Sequence, residues 1–478
     1  MLTRRKVLQS AVAAVPLGAV AQRISPPVAL AFARILETIR FTDLPPIPVK
    51  HAKVILASTL ASAAAGAEIG SARIIRELAK EQGGKPESTV WFDGAKLPVT
   101  LGARVNSMLS DAAASDDSDL RNVAHTGTCL TSTGLAMGER VGASGVDLLA
   151  AIVAGYEAAG RIGEALGNAG EAVSGSLGHG FHASVIVAFG GTVTASKLLR
   201  LTDAQMAEAI GITATTMGGL SISTNSWARE YHAGNAALCA VNAALAASRG
   251  YTVNPDMLEA KRGFLAVFGG GIDTTNLTRP IGDQWEIAKY LAVKLVPGAH
   301  ALQPAVEAAV NVAKQANVPP EQIAQILVSG PQIHVSAGSP APKDMIEAIH
   351  SLAYFVASAV VDRDFSWVHT TDAKIHRPVI ARLIGLVETD PAPPAAHYQW
   401  SWGATVTLVT KSGARFTNTV DAPRGSAPRG IEWTDIDAKY RALMPDSHLA
   451  APRIEEILKT IHDFERVKKV SEFTALLR

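Results

Sequence analysis

Apolar positions recur at helical spacing through the longer first part of the chain and change character near residue 285. "HAKVILASTLASAAAGAE" and "SARIIRELAKEQ" read as helices, the second with Ile74, Ile75 and Leu78 on one face. "TGLAMGERVGASGVDLLAAIVAGYEAAGRIGEAL" predicts two more, broken near residues 142–145 by glycine. "LTDAQMAEAIGITATTMGG" opens on Thr202 as an N-cap, and "HAGNAALCAVNAALAASRG" stops at Gly250. No strand-like alternation stands out before Trp285, so residues 28–288 are expected to form a large all-helical domain.

Beyond Trp285 the runs shorten. "YLAVKLVP", "QIAQILVSG" and "PQIHVSAG" are β-type, and "ATVTLVTKSGARFTNTVD" alternates, turns at Lys411-Ser412-Gly413 and returns as a hairpin. Helical stretches such as "ALQPAVEAAVNVAKQ" and "LAYFVASAVV" lie between them, which predicts a smaller α+β lid domain over residues 289–422. A Pro/Gly linker, "APRGSAPRG", precedes residues 430–478, whose stripe of Ile454, Ile457, Leu458 and Ile461 marks helices returning to the first domain. The expected fold class is therefore mainly α.

Composition narrows the function. The 478 residues carry a net charge of +1 with both signs mixed, and no basic block interleaves with aromatics, which argues against nucleic acid and for a small-molecule partner. Two isolated cysteines, Cys129 and Cys239, make neither a disulfide framework nor a zinc site. The N-terminus, "MLTRRKVLQSAVAAVPLGAVAQ", has Arg4-Arg5, a short apolar stretch and a small-x-small site at Ala19-Val20-Ala21. Residues 1–25 read as a twin-arginine-type signal, which predicts a periplasmic protein with no membrane association after export.

Five polar constellations carry the candidate chemistry. Asp111, Asp116, Asp117 and Asp119 cluster ahead of His125, which opens a helix. Such carboxylates suit a divalent cation, or equally helix caps in a solvated loop, and their spacing is not that of an EF-hand. His179 and His182 stand three apart without the HExxH pattern of a zinc site. Arg229, Tyr231 and His232 precede a small-residue helix, an arrangement suited to a carboxylate or phosphate. Lys294 ends an apolar run, as a snorkelling side chain or an anion clamp, and Tyr354 begins an apolar helix.

The order of "GYEAAGRIG", "GFHASVIVAFGG", "EYHAGNAA", "GFLAVFGG" and "HSLAYFVASAVVDRDF" resembles the MmgE/PrpD family across roughly residues 30–445. The resemblance implies a large helical domain with an α+β lid, a homodimer, a site between the domains, and no cofactor or metal. It also implies a lyase acting on a small di- or tricarboxylate. Residue by residue, it places proton transfer on His125, His182 and Tyr354, with Lys294 beside them, and substrate contacts on Asp117, Ser118, Arg229, His232, His300 and Gln303. Family positions usually held by aspartate, threonine, lysine and the lid histidine are here Ala114, Ser118, Arg229 and Gln303, while Thr126 and Ala353 replace prolines.

Removing a proton beside a carboxylate requires preorganised cations, which Lys294 and Arg229 supply, and groups that exchange protons near neutrality, which the histidines supply. The leading expectation is a hydro-lyase of the 2-methylcitrate dehydratase type. Decarboxylation, epimerisation, and an exported polycarboxylate-binding protein without turnover are the alternatives.

Overall fold

The computed structural model describes residues 25–478 apart from 168–177, 283, 332, 334–337, 395–397 and 399–401. The signal segment and most of "PQIHVSAG" lie outside the described residues. Among the described residues mainly helical structure surrounds one large and one smaller hydrophobic core, with two minor clusters beside them.

The larger core is built on Pro46–Gly66, Val99–Ala112, Thr126–Val141, Gly145–Ala165, Ser184–Leu198, Asp203–Thr216 and Ala228–Ala247. Ser184–Leu198 lies at its centre, with every residue but Lys197 buried. Small side chains make this possible. A Cβ at Gly155 would stand 2.6 Å from the Gly190 carbonyl oxygen, and one at Gly190 2.8 Å from that of Gly155, so the two helices meet backbone to backbone. Thr202 does cap its helix, in a reciprocal capping box with Gln205. The break after Val141 is made by Gly142 in the left-handed conformation at φ 67°, followed by a Ser144–Asp147 capping box. The C-terminal helices Trp433–Leu443, Ala451–His462 and Val470–Ala475 bury Ile436, Ile457, Ile461 and Phe473 in this same core. Among the described residues no single helix is long and apolar enough to cross a membrane.

The smaller core packs Gln303–Ala316 and Leu352–Asp362 against a four-stranded sheet. Its strand order is Val387–Thr389, Ile323–Ser329, Ala404–Thr410 and Arg415–Val420, parallel in the first pair and antiparallel in the others. The expected hairpin is present, turning at Gly413 with φ 88°.

Two expectations need correction. The run at 291–293 is a strand but pairs with Asp117–Asp119, and its apolar residues join the larger core or pack beside it, rather than the lid sheet. The helical half also contains short strands at Ser88–Thr89, Lys96–Leu97 and Asp117–Asp119, two or three residues long and so too short to show a period. The Asp117–Asp119 pairing matters most, because it brings the end of the 291–293 strand to the acidic loop at the seam between the cores. There the Gly298 amide donates to the Ala114 carbonyl at 2.9 Å, the Ala299 amide to Ile349 at 2.9 Å, and Trp367 Nε1 to Ser115 Oγ at 2.8 Å.

Candidate active site

A cavity opens at this seam. Its wall takes Asp111 from the end of helix Val99–Ala112, Ser118 from the acidic strand, His125 and Thr128 from the start of the next helix, His182 from just ahead of Ser184–Leu198, and Arg229 from Ala228–Ala247. Lys294, His300 and His350 come from the second half of the chain.

The acidic loop is no solvated turn: Asp111, Asp116, Asp117 and Asp119 are all buried. Buried carboxylates require partners, and these are the site's cations. His125, the N-cap of Thr126–Val141, sets Nδ1 2.6 Å from Asp111 Oδ1 and 3.1 Å from Asp116 Oδ2. Lys294 Nζ lies 2.7 Å from Asp116 Oδ1 and 3.4 Å from His125 Nε2, and Thr128 Oγ1 donates to Asp116 Oδ2 at 2.9 Å. Arg229 Nε is 3.2 Å from Asp111 Oδ2, while its Nη2 donates to the Asp111 and Ala112 carbonyls at 2.9 and 3.2 Å, at the negative end of helix Val99–Ala112.

These contacts set the charge states. Burial opposes the charge on Asp111, but Arg229 and His125 outweigh it and hold the carboxyl at about 2. Asp116 is held well below the usual range, with burial again overcome, by His125 and Lys294. The same carboxylates overcome burial at His125 and raise it to about 9, so this imidazole stays cationic at neutral pH. Asp117 moves the other way, to about 7, through burial and the neighbouring Asp116. From the far side Lys439, on the returning C-terminal helix, donates to Ser58 Oγ at 2.7 Å, to the Asp116 carbonyl at 3.2 Å and to the Ser115 carbonyl, pinning the loop.

Three further imidazoles line the cavity in the neutral form. Burial lowers His182 to about 3, and its Nδ1 accepts from the Ser184 amide at 3.2 Å, so the ring proton is on Nε2 and His182 is a hydrogen-bond donor. His350 is lowered to about 4 by burial and by Arg229, and its Nδ1 must donate to the Ile346 carbonyl at 3.0 Å, leaving Nε2 as an acceptor. His300 is buried beside Lys294, with both nitrogens unpartnered among the described residues. Buried polar atoms without partners signal a polar occupant of the cavity.

The structure thus brings together Ser118, His125, His182, Arg229, Lys294 and His300. Four expected residues fall elsewhere. Asp117 turns away from the cavity and accepts from the Gly127 amide at 3.0 Å, capping a helix start. His232 stands behind His182 with the ring centroids 5.3 Å apart, and Gln303 donates to the Val296 carbonyl at 2.9 Å, closing the loop that carries His300. Tyr354 is fully buried in the smaller core, where its hydroxyl donates to the His369 carbonyl. Tyr354→Phe is accordingly expected to cost about 1 kcal/mol of stability in urea unfolding, the worth of one buried hydrogen bond. Its turnover should stay within roughly threefold of wild type, and a roughly hundredfold loss would return Tyr354 to the chemistry.

Sequence reasoning missed Asp111 and Asp116 as working members of the site, and His350 altogether. His350 was within reach, because it precedes the helix cap Ser351 in the segment from which Tyr354 was selected.

Asp111, Asp116 and His125 also present ligand atoms within 4.8 Å of one another, close enough to embrace a cation. Their charge is already matched: Lys294, Arg229 and the His125 imidazolium face the two carboxylates at 2.6 to 3.2 Å. A divalent ion would have to displace these groups, and the donor set fits an anion site better than a metal centre.

A family model described as the MmgE/PrpD N-terminal domain matches residues 30–276, and one described as the MmgE/PrpD C-terminal domain matches residues 297–463. The chain is 25% identical over 461 residues to cis-aconitate decarboxylase of Homo sapiens, covering 94% of each chain. It is 25% identical over 418 residues to cis-aconitate decarboxylase of Mus musculus, covering 84% of each. It is also 25% identical over 413 residues to cis-aconitate decarboxylase of Aspergillus terreus, covering 80% of this chain and 82% of that one.

Proposed function

Because the chain belongs to the MmgE/PrpD family, we propose that it is a cofactor-independent lyase that removes carbon dioxide from a small unsaturated polycarboxylate of the cis-aconitate kind. The observation that carries this reading is the polarity of the cavity. The lining combines three cations, Lys294, the His125 imidazolium and Arg229, one more than the carboxylates Asp111 and Asp116 they face, with the apolar side chains of Ala114, Val123, Ala183, Val187 and Ala299. We take the former as a cationic pole and the latter as an apolar wall. The retained carboxylates of the substrate bind at the pole. The departing carboxylate lies along the wall, where lost hydration disfavours the ion relative to neutral carbon dioxide. The electron pair left on carbon delocalises toward a retained carboxylate, whose growing charge meets Lys294 and His125, already in place. The names of the curated relatives support the same reaction.

Dehydration of a 2-methylcitrate-type acid is the second reading, favoured by the His125 imidazolium, which is an acid able to protonate a leaving hydroxyl. Incubating purified protein with cis-aconitate, with carbon dioxide and proton NMR as readouts, separates the two. Carbon dioxide released one-for-one with a new alkene acid is expected. A conjugated-alkene absorbance from 2-methylcitrate, with no carbon dioxide from cis-aconitate, would transfer the assignment to a hydro-lyase. Carbon-bound deuterium exchange alone would indicate an epimerase, and saturable binding without chemistry a binding protein. Export through the N-terminal segment and a homodimer complete the proposal, checked by cell fractionation and light scattering.

A further inference from the structure

The site contains an imidazole that its cation–carboxylate network does not use. His350 sits on the turn between Met345–Ala348 and Leu352–Asp362, half-buried in the cavity wall on the smaller core's side. Its Nδ1–H is fixed on the Ile346 carbonyl at 3.0 Å, and Nε2 has no partner among the described residues. The turn itself is anchored to the Lys294–His300 loop, because the Ile349 carbonyl accepts from the Ala299 amide at 2.9 Å.

The charged groups facing His350 are Arg229 from the helix Ala228–Ala247, Lys294 from the strand end, and His125 with Asp111 from either side of the acidic loop. Burial, with Arg229, Lys294 and His125, keeps the ring neutral. A substrate bringing two or three carboxylates reverses the sign of that field, and the ring best placed to respond is the one with a free lone pair. His182 cannot add a proton at Nδ1 without losing the Ser184 amide. His300 is the more deeply buried of the remaining two and lies against Lys294. His350 lines the cavity, and its Nε2 can take a proton without giving up a hydrogen bond made among the described residues.

We propose that His350 is a proton-accepting substrate contact: its Nε2 takes a proton from solvent as a polycarboxylate fills the cavity, and gives that proton to the carbon that carries the electron pair left behind by carbon dioxide. The balance closes. The carbon–carboxylate bond breaks, its electron pair passes into the conjugated system of the retained carboxylate, the Nε2–H proton forms the new C–H bond on a carbon of that system, and His350 is neutral again. Decarboxylation of a carboxylate consumes one proton per turnover, and binding is the step that loads it. The inference rests on the polycarboxylate reading above.

The test uses tricarballylate, a saturated tricarboxylate with no hydroxyl to eliminate, in titration calorimetry at pH 7 in two buffers of different ionisation enthalpy. Wild-type protein is expected to take up about one proton per site, and affinity to fall about tenfold from pH 7 to pH 8. In His350→Gln the uptake disappears and the pH dependence flattens, while the His350→Asn variant repeats the result with a shorter amide. Binding with unchanged uptake in both variants overturns the assignment and leaves the lyase reading intact. Uptake that vanishes instead in His300→Gln also overturns it. Absence of any tricarballylate binding by the wild type removes the polycarboxylate reading and this inference together.

Discussion

Lys294→Met is expected to reduce kcat/KM by at least about a hundredfold, with most of the loss in kcat, while lowering the melting temperature. Both effects share one origin. Lys294 Nζ is fully buried, 2.7 Å from a carboxylate that is itself fully buried, and 3.4 Å from His125 Nε2. Methionine retains the unbranched stem and removes only the charge and its hydrogens. Asp116 would then rely on His125 and Thr128 alone. Removing one partner of a buried pair costs about 3–5 kcal/mol when nothing compensates. Here His125 compensates in part, so the stability loss should fall below that range. The catalytic loss is not softened in this way, because a preorganised donor facing charge that develops in the transition state is worth about 10²–10³ in rate. Steady-state kinetics with thermal melts check the pair of effects. A variant that melts early but keeps kcat/KM within about tenfold would make Lys294 a structural cation and remove it from the chemistry.

Helices and the hairpin were legible in the sequence because each repeats a period long enough to see. The small-residue run after His182 reads as a tightly packed helix, and Gly155 against Gly190 shows the reason. The strand Asp117–Asp119 was not legible. Its three residues are polar yet wholly buried, and their strand partners are residues 291–293, far along the chain. Lys294 shows the same limit: its sequence context suits a snorkelling side chain, and only the pairing with the acidic loop places its ammonium group inside. Tyr354 and His350 were exchanged for a local geometric reason. Tyr354 lies inside the helix Leu352–Asp362, on a face given to the smaller core, whereas His350 precedes the Ser351 cap and stands free of that face. A periodic reading ranks the aromatic residue in the helix above the imidazole just outside it.

Above about 9 the pH profile of kcat/KM is expected to gain a further alkaline limb, steeper than the roughly tenfold fall per unit that proton uptake at His350 imposes from neutrality. The group responsible is His125, and Asp116 and Asp111 together set the position of the limb. Folding raises His125 from an ordinary 6.5 to about 9. Its contribution to stability is therefore fully present below about 6.5 and is lost as pH rises through about 9. Asp111 has the opposite sign, depressed from 3.8 to about 2, so its contribution is present above 3.8 and is lost as pH falls through about 2. Between those limits both partners are charged and the His125 Nδ1–Asp111 contact at 2.6 Å is an ion pair. Asp111→Asn preserves the shape, takes away one of the two carboxylates that hold the imidazolium, and leaves Arg229 Nε without its anion. The alkaline limb should then move down by about one pH unit, and kcat/KM at neutral pH should fall by about 10²-fold, since the cationic pole loses its orientation along with one charge. The melting-temperature deficit of the variant should shrink as pH rises past the limb without vanishing, because the His125 ion pair is by then lost from both proteins while the Arg229–Asp111 pair remains in wild type alone. A limb that stays near 9 in Asp111→Asn would assign the alkaline fall to another group and leave His125 without the role of the site's permanent cation.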